Sequence, residues 1–383
     1  MKNRLLHLLG CLLIGTTVAA QSVTNSNSLI SIQQNTVFAA TDFVNNGTVI
    51  NNGNLVISGA WTNEGTYQAG TGQVTFNSSG TQIINHNDQS FDRLTISGGG
   101  QKIFNADIQI TDELILQDGL LVSGNLAKII LLESAVVTGG SGTAYVQGPF
   151  YNTGLGQKIF PVGINAHYLP LVLTDVTGTS PVVGVEVVEP NTNVTFNKSL
   201  TGISSLRYWK LTVGSGTFSG SPVVLPLLDE TLSAASENIV VAQAASLNDP
   251  FESLGQSDFS GTVQAGAVTS EASVTQVLLT VGETTNNNSK ALTIYNVVTP
   301  NNDGIHDFLK IINIEYYPDN VVTVVNRWGD KIFEMRGYDN VSHVFAGEGN
   351  TGGVKSLTDG TYYYVIDKGN GDKKVSGFFL LSR

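Results

Sequence analysis

The chain has 383 residues, of which 42 are glycine, 41% are hydrophobic and only 13% are charged. This length predicts two or three domains, and the composition excludes a highly charged disordered chain and favours short β-strands joined by tight turns. The formal net charge of −12 argues against nucleic acid as a partner, because an acidic surface repels phosphate groups.

The first 20 residues have the pattern of a secretory signal peptide. Lys2 and Arg4 precede a mostly apolar run at 5–18, and small residues lead up to Ala20. This order predicts removal of residues 1–20 by cleavage after Ala20. The alternative is a lipoprotein signal that ends at Cys11, but processing there would leave most of the apolar run attached to the mature chain.

Cleavage after Ala20 would remove Cys11, which is the only cysteine of the chain. The mature protein would then form no disulfide and would depend on burial and backbone pairing. Loss of the two positive charges of Lys2 and Arg4 would lower the formal net charge from −12 to −14. No later apolar stretch approaches the ~20 residues that a membrane-spanning helix needs.

A repeat of six residues marks the region that we assign to 21–145. Four glycines recur at this spacing, and a large apolar residue follows each of them two positions later: Gly47, Gly53, Gly59, Gly65 and Val49, Leu55, Trp61, Tyr67. We interpret each unit as a short strand and a turn with positive φ at Asn46-Gly47 and Asn52-Gly53. Three units would make one coil of a β-solenoid with its large side chains inside. A meander of hairpins is the alternative, since Asn-Gly also favours hairpin turns.

The region 146–288 has a different pattern, in which apolar runs alternate with serine, threonine and glycine. This pattern predicts a β-sandwich. A polar stretch at 283–290 contains three consecutive asparagines and is the best candidate for a linker. The expected fold class is therefore all-β: a solenoid-like repeat region, a middle β-sandwich, and a C-terminal Ig-like β-sandwich at 289–383.

Four motifs follow one another in this C-terminal region. They are Asn296-Val297-Val298-Thr299-Pro300-Asn301-Asn302-Asp303-Gly304 with Asp307, Asn326-Arg327-Trp328-Gly329, Asp359-Gly360-Thr361-Tyr362, and Gly377-Phe378-Phe379-Leu380-Leu381. Together they resemble the gliding motility-associated C-terminal domain of Bacteroidetes, also called the type B sorting domain of the type IX secretion system. One motif departs from the family, because Phe345-Ala346-Gly347 stands where many members have Trp-Asp-Gly.

The resemblance implies export across the outer membrane, followed by release or attachment at the cell surface. It also implies recognition by the type IX secretion machinery, including an outer-membrane partner similar to SprF. The residues that the resemblance assigns to sorting are Thr299, Pro300, Asn301, Asp303, Gly304, Asn326, Arg327, Trp328, Gly329, Asp359 and Gly360.

Two features of this region suggest binding chemistry from the residues alone. The oxygens of Asn301, Asp303 and Asp307 alternate around Gly304 and would suit one calcium ion, although Asn and Asp also cap turns in this way. Arg327 next to Trp328 would suit a recognition patch, although a lone tryptophan of a small sandwich more often lies in the core.

The remaining sequence offers no catalytic constellation. It has no H-E-x-x-H, no G-x-S-x-G and no phosphate-binding loop before a helix. Four acids lie close together in the repeat region and flank turns, where acids usually cap the backbone: Asp107, Asp112, Glu113 and Asp118. We therefore expect no enzyme and no catalytic residue, but a secreted or cell-surface structural or adhesive protein. The alternative is an extracellular polysaccharide-binding protein or weak polysaccharide hydrolase, with Trp61 and Tyr67 as sugar-stacking residues if they face outward.

Overall fold

A computed structural model describes residues 21–123, 127–284, 292–351, 356–369 and 373–383. The predicted signal peptide with Cys11 and most of the predicted linker lie outside the described residues. The fold is essentially all-β, as predicted, and the described ranges contain two short 3-10 helices, Ser236–Asn238 and Ile314–Tyr316. The chain forms two compact units that divide between Thr284 and Thr285.

The first unit begins with a β-solenoid of about six turns, which confirms the predicted coil. Its strands are β1 Val23–Asn25, β2 Leu29–Ile32, β3 Val37–Ala40, β4 Phe43–Asn45, β5 Thr48–Asn51, β6 Asn54–Ile57, β7 Trp61–Asn63, β8 Thr66–Gln68, β9 Gln73–Phe76, β10 Thr81–Asn85, β11 Ser90–Ile96, β12 Gln101–Phe104, β13 Ile108–Leu116, β14 Leu120–Ser123, β15 Ile129–Leu131, β16 Val136–Gly139 and β17 Val146–Gln147.

These strands form parallel ladders, in which each coil pairs with the next. The first sheet has the order β1-β4-β7-β10-β12-β14-β17, and the second has the order β2-β5-β8. The third sheet begins β3-β6-β9-β11-β13 and continues through β15 and β16. Phe43 pairs with Trp61, which lies 18 residues later, so one coil corresponds to three of the six-residue units. The parallel pairing rules out the hairpin meander, whose strands would be antiparallel.

The repeated glycines allow neighbouring coils to approach closely. The predicted positive φ at Asn46-Gly47 and Asn52-Gly53 is wrong, because none of these residues has positive φ. A Cβ atom at Gly65 would instead overlap the carbonyl oxygen of Gly47 and lie 2.9 Å from its nitrogen. Glycine is therefore required at these corners by the backbone of the preceding coil rather than by its own backbone conformation.

Large side chains form a continuous column inside the coils. The rings of Phe43 and Trp61 stack with centroids 5.0 Å apart, and both side chains are fully buried. The indole nitrogen of Trp61 donates to Nδ1 of His86 over 3.1 Å, and His86 stacks on Phe91 at 3.8 Å. Trp61 and Tyr67 therefore face inward, so the alternative role in sugar stacking is excluded for both.

Buried amides stack along the same axis as the aromatic column. Asn25 donates to Oδ1 of Asn45 over 2.7 Å, and Asn45 donates to Oδ1 of Asn63 over 2.6 Å. Each of these asparagines ends its strand in the first sheet. Apart from Nδ2 of Asn63, which has no partner, the ladder satisfies buried amide groups that would otherwise oppose folding, and it fixes the register of the first three coils.

The second sheet ends at β8 because a side chain takes the place of a fourth strand. Oε1 of Gln89 accepts from the backbone nitrogen of Tyr67 over 2.5 Å, and its Nε2 donates to the carbonyl of Gly65 over 2.8 Å. The following coils turn the same corner without a strand. At a different corner, between the third and first sheets, the side chain of Lys102 is fully buried and donates to the carbonyls of Ser78, Ser97 and Gly99.

The strands that follow the solenoid belong to the same unit, in two larger sheets and a separate two-stranded sheet. They are β18 Phe150–Thr153, β19 Gly156–Phe160, β20 Gly163–Ile164, β21 His167–Tyr168, β22 Leu171–Val188, β23 Gly202–Ile203, β24 Tyr208–Gly220, β25 Val223–Leu228, β26 Ile239–Ala244, β27 Glu252–Ser253, β28 Asp258–Gly261, β29 Ala265–Thr269 and β30 Leu278–Glu283. The first part of β22 pairs with β19 and β25, and its last part pairs with β18 and β24.

The solenoid and these sheets share one hydrophobic core. β18 pairs in parallel with β15 of the solenoid and antiparallel with β22. The buried cluster that contains Trp61 also contains Phe150, Leu171 and Trp209. The β-ladder therefore crosses residue 145, where the sequence predicts a boundary between two domains.

The second unit is built around a five-stranded sheet with the order β32-β37-β36-β34-β35. Its strands are β31 Thr293–Ile294, β32 Val297–Val298, β33 Ile311–Ile312, β34 Val321–Val325, β35 Lys331–Arg336, β36 Gly360–Asp367 and β37 Val375–Leu381. β31 and β33 form a two-stranded sheet. The separate core of this unit includes Ile314, Tyr338, Phe345 and Phe379.

The close approach at the corners predicts different effects for two glycine substitutions. Gly65→Ala should lower the free energy of unfolding by about 1–3 kcal/mol, because the new methyl group overlaps the preceding coil. Gly80→Ala is the matched control, since the nearest atom to its Cβ would be Ser78 Oγ at 4.0 Å. Urea unfolding of the two variants measures the difference, and equal midpoints would contradict the assignment.

The buried imidazole predicts a loss of stability in weak acid. Burial lowers the pKa of His86 from 6.5 to about 3, so between these values the unfolded chain binds a proton that the folded chain excludes. Stability should therefore fall by about 2 kcal/mol between pH 7 and pH 5. His86→Gln keeps an acceptor for Trp61 but does not titrate. Urea midpoints at the two pH values should shift less in this variant, and an undiminished shift would assign the pH dependence elsewhere.

Candidate functional site

The predicted sorting motifs converge at one end of the five-stranded sheet. β32 is parallel to β37, β37 is antiparallel to β36, and β36 is antiparallel to β34. The segments after β32 and β34 and before β36 therefore emerge at the same end, together with the residues after β37. We call this end the motif edge; it comprises residues 299–307, 326–330, 356–360 and 382–383.

A tight turn at 326–330 presents the most exposed aromatic side chain of the motif edge. Oδ1 of Asn326 accepts from the backbone nitrogens of Trp328 and Asp330, each over 2.9 Å. Gly329 has a φ of 88°, which favours glycine. Trp328 is 78% exposed, so the expectation that it lies in the core is wrong. The guanidinium of Arg327 lies 5.6 Å from the Trp328 ring centroid, in the range of a cation–π contact.

The loop that contains Asn301, Asp303 and Asp307 is closed by its own backbone. Asp303 accepts from the nitrogen of Ile305 over 2.7 Å, and Asp307 accepts from the nitrogens of Asn302 and Gly304. The hydrogen bond from Ile305, together with one from the side chain of Asn301, lowers the pKa of Asp303. The geometry is that of carboxylates capping a turn, and the calcium prediction stays a prediction.

The segment before β36 is linked to the C-terminal residue. Arg383 donates to Ser356 Oγ over 2.7 Å and to the carbonyl of Gly347 over 2.8 Å. Asp359 directly precedes β36, and Gly360 is the first residue of β36 and pairs with Leu381. The C-terminal end of the chain is therefore held within the motif edge.

The departure from the family motif at Phe345 has a packing role. Phe345 is fully buried and makes edge-to-face contacts with Phe333 at 5.1 Å and Phe379 at 5.5 Å. Its backbone nitrogen donates to the hydroxyl of Tyr338 over 2.9 Å. At this position the chain contributes to the core of the unit.

The sequence interpretation missed an exposed apolar stripe on the sheet next to the motif edge. Tyr363 and Phe378 are cross-strand partners and are 44% and 61% exposed, while Leu380 is 48% exposed. Alternation along β36 and β37 places them on the outer face, opposite Tyr362 and Phe379 in the core. The Gly-Phe-Phe-Leu-Leu string carries this signal, because alternate residues of a strand face opposite sides.

Two of the four acids singled out in the solenoid, Asp107 and Glu113, cap neighbouring coils. Asp107 accepts from the backbone nitrogen of Lys128 over 2.7 Å, and Glu113 accepts from the hydroxyl of Thr138 over 2.9 Å. Asp118 lies near the buried ammonium of Lys102 and raises its pKa, although burial lowers that pKa overall to about 8. These contacts give the acids a role in coil stacking.

A buried ionic network in the middle of the first unit was not predicted from the sequence. Nε of Arg207 lies 2.9 Å from Glu189, and its Nη1 lies 3.6 Å from Glu230. Burial raises the pKa of Glu230, and the hydroxyl of Ser204 donates to it over 2.5 Å. No regular spacing in the sequence links these residues, because loops of different lengths bring them together.

The calcium prediction leads to a chelator experiment. If the ion binds the loop at 301–307, EDTA should lower the melting temperature of the C-terminal unit, because a ligand of the folded state stabilises it. Asp303→Ala should abolish that response. A thermal melt of the chain with EDTA or with added calcium tests this, and an EDTA response that persists in the variant would place the ion elsewhere.

No helix of the described residues has both the length and the apolar character to cross a membrane. Neither the curated proteins nor the solved structures contained a match to this chain. A comparison with protein families matched residues 292–381 to the CHU_C Type IX secretion signal domain. The chain therefore carries a type IX secretion signal domain at its C-terminus, which supports export to the cell surface or the extracellular space and interaction with the type IX secretion machinery.

Proposed function

We propose that the motif edge is the surface of the signal domain that the secretion machinery binds. The observation that carries this proposal is the 78% exposure of Trp328 in a turn that is rigidly held by Asn326. Covering an exposed aromatic ring with a partner is favourable because apolar surface is then removed from water, and tryptophan is enriched among the anchor residues of interfaces. We propose that the partner is an outer-membrane protein similar to SprF. The chain would meet this partner in the periplasm, after the signal peptide has directed it there and has been cleaved after Ala20.

Two features of the turn support direct recognition. The stacked Arg327 offers hydrogen-bond donors to a carboxylate of the partner while Trp328 offers apolar area, and this pair of residue types is common at the energetic centre of interfaces. The apolar stripe of Tyr363, Phe378 and Leu380 lies on the outer face of the same sheet. Together they give the partner a polar anchor beside an apolar surface.

The first unit then serves as the exported cargo, which we propose is a structural or adhesive protein without catalytic activity. Its aromatic side chains in the first coils are used for packing, and two of its clustered acids, Asp107 and Glu113, cap neighbouring coils. A solenoid presents an extended surface, with equivalent positions of successive coils about 4.8 Å apart. Such a surface supports adhesion through many weak contacts rather than turnover.

Polysaccharide binding is a second candidate, favoured by a groove along the side of the solenoid. Its lining comes from the corners of successive coils and is mainly polar. The groove does not involve Trp61 or Tyr67, so substitution of these core residues would report on folding rather than on binding.

The recognition proposal is tested by export of substituted chains from a bacterium with a type IX secretion system. Trp328→Ala and Arg327→Ala should each reduce the amount outside the cells severalfold, since truncation of an interface anchor weakens binding by about 2 kcal/mol or more. Val341→Ala is the matched control, because Val341 is 85% exposed but lies in the loop after β35, beyond the opposite end of the sheet.

Immunoblots of medium, surface-shaved protein and periplasm measure the distribution. The variants should accumulate in the periplasm with unchanged thermal stability. Normal export of the Trp328→Ala/Arg327→Ala double variant would show that the machinery reads another surface.

A further inference from the structure

A groove runs along the solenoid at the corner between the second and third sheets. Successive coils contribute equivalent segments to it, at 34–37, 52–54, 71–73, 92–93 and 111–112, and its volume is about 900 Å³. Coils repeat at the strand spacing of about 4.8 Å, so a groove across five coils is about 20 Å long. Its axis is perpendicular to the strands, and an extended chain fits along it.

Side chains in register line the floor of this groove. Asn54 pairs with Gln73, and Gln73 pairs with Arg93, in the ladder of the third sheet. Oδ1 of Asn54 is buried and has no hydrogen-bond partner. Gln73 uses its Nε2 to donate to Thr95 over 2.8 Å, which holds its amide group in place. Because Oδ1 of Asn54 is buried, the polar group that the floor offers to a ligand is the amide of Gln73, which is held in place.

Charged groups lie at the far end of the same groove. Among the described residues, none pairs with the guanidinium of Arg93. Asp112 is exposed, and Asp92 accepts from the hydroxyl of Thr111 over 2.9 Å. A guanidinium donor and carboxylate acceptors therefore line the same part of the groove. Hydroxyl groups suit this lining, because a hydroxyl both donates and accepts hydrogen bonds.

The residues that line the groove exclude a peptide strand and disfavour a polyanion as its ligand. A peptide cannot add as a strand on the floor, because β6 and β9 are each paired on both sides. One arginine against two aspartates disfavours a polyanion, as does the net charge of −12 of the whole chain. An uncharged chain that is rich in hydroxyl groups satisfies the amides, the guanidinium and the carboxylates together.

We infer that this groove binds a linear neutral polysaccharide, with Gln73, Arg93 and Asp112 as its hydrogen-bonding residues. The groove lacks an aromatic lining residue, so each site binds weakly and adhesion depends on many copies at the cell surface. The inference rests on the proposed adhesive function and names its ligand class.

Affinity electrophoresis of the purified chain from Gln21 to Arg383 tests the inference. Native gels contain a soluble neutral polymer, namely β-1,3-glucan, mixed-linkage β-glucan, xyloglucan, galactomannan or arabinoxylan, and alginate serves as the acidic comparison. At least one neutral polymer should retard the chain, and alginate should not. Arg93→Ala and Asp112→Ala should each weaken that retardation about tenfold, as expected for lost hydrogen bonds to charged groups.

Arg336→Ala and Asp258→Ala are matched controls, because both residues are exposed and lie outside the groove. All four variants should keep the urea midpoint of the parent chain. The inference is overturned if no neutral polymer retards the chain, if only alginate does, or if the Arg93→Ala/Asp112→Ala double variant is retarded as strongly as the parent. Since the assay involves no secretion, its result is independent of the export experiment with Trp328.

Discussion

The close stacking of coils at glycine corners is the constraint on which the first unit depends. Each coil can pair with the next only if the backbones meet at the corners, and a methyl group at Gly65 would already overlap Gly47. Once the corners meet, Phe43 stacks on Trp61 and the amides of Asn25, Asn45 and Asn63 align. Backbone pairing, aromatic packing and buried hydrogen bonds thus share one geometric requirement.

The same stacking connects the repeat region to the sheets that follow. β15 of the last coil pairs with β18, and β18 in turn pairs with β22, so the ladder continues beyond the solenoid. The core that begins in the first coils continues to Trp209. A body held in this way needs no disulfide, which is consistent with a chain whose only cysteine lies within the predicted signal peptide.

The solenoid could be predicted because each six-residue unit repeats the same two residue types, a glycine and a large apolar residue. The sequence interpretation misassigned the reason for the glycines, since a contact between coils is invisible along one coil. The cap at Gln89, the buried Lys102 and the pair of Arg207 with Glu189 were missed for the same reason. Each joins residues whose separation follows no period.

The C-terminal motifs as a set predicted the type of domain, whereas the exposure of their side chains could not be predicted from the sequence. Asn-Arg-Trp-Gly marks a turn, but only the fold decides whether Trp328 packs inward or faces solvent. In the solenoid, glycines allow close contact, whereas Gly304 and Gly329 have positive φ and open space around them. The same residue type therefore allows close packing at some positions, such as Gly65, and a positive φ at others, such as Gly329.

We propose that the first unit folds by itself and that the C-terminal unit directs its export. A chain truncated after Thr284, expressed in a bacterium with a type IX secretion system and followed by fractionation with limited proteolysis, tests both parts together. The truncated chain should remain in the periplasm as a protease-resistant body, while the full chain reaches the surface or the medium. Recovery of the truncated chain outside the cells at the level of the full chain would contradict the account.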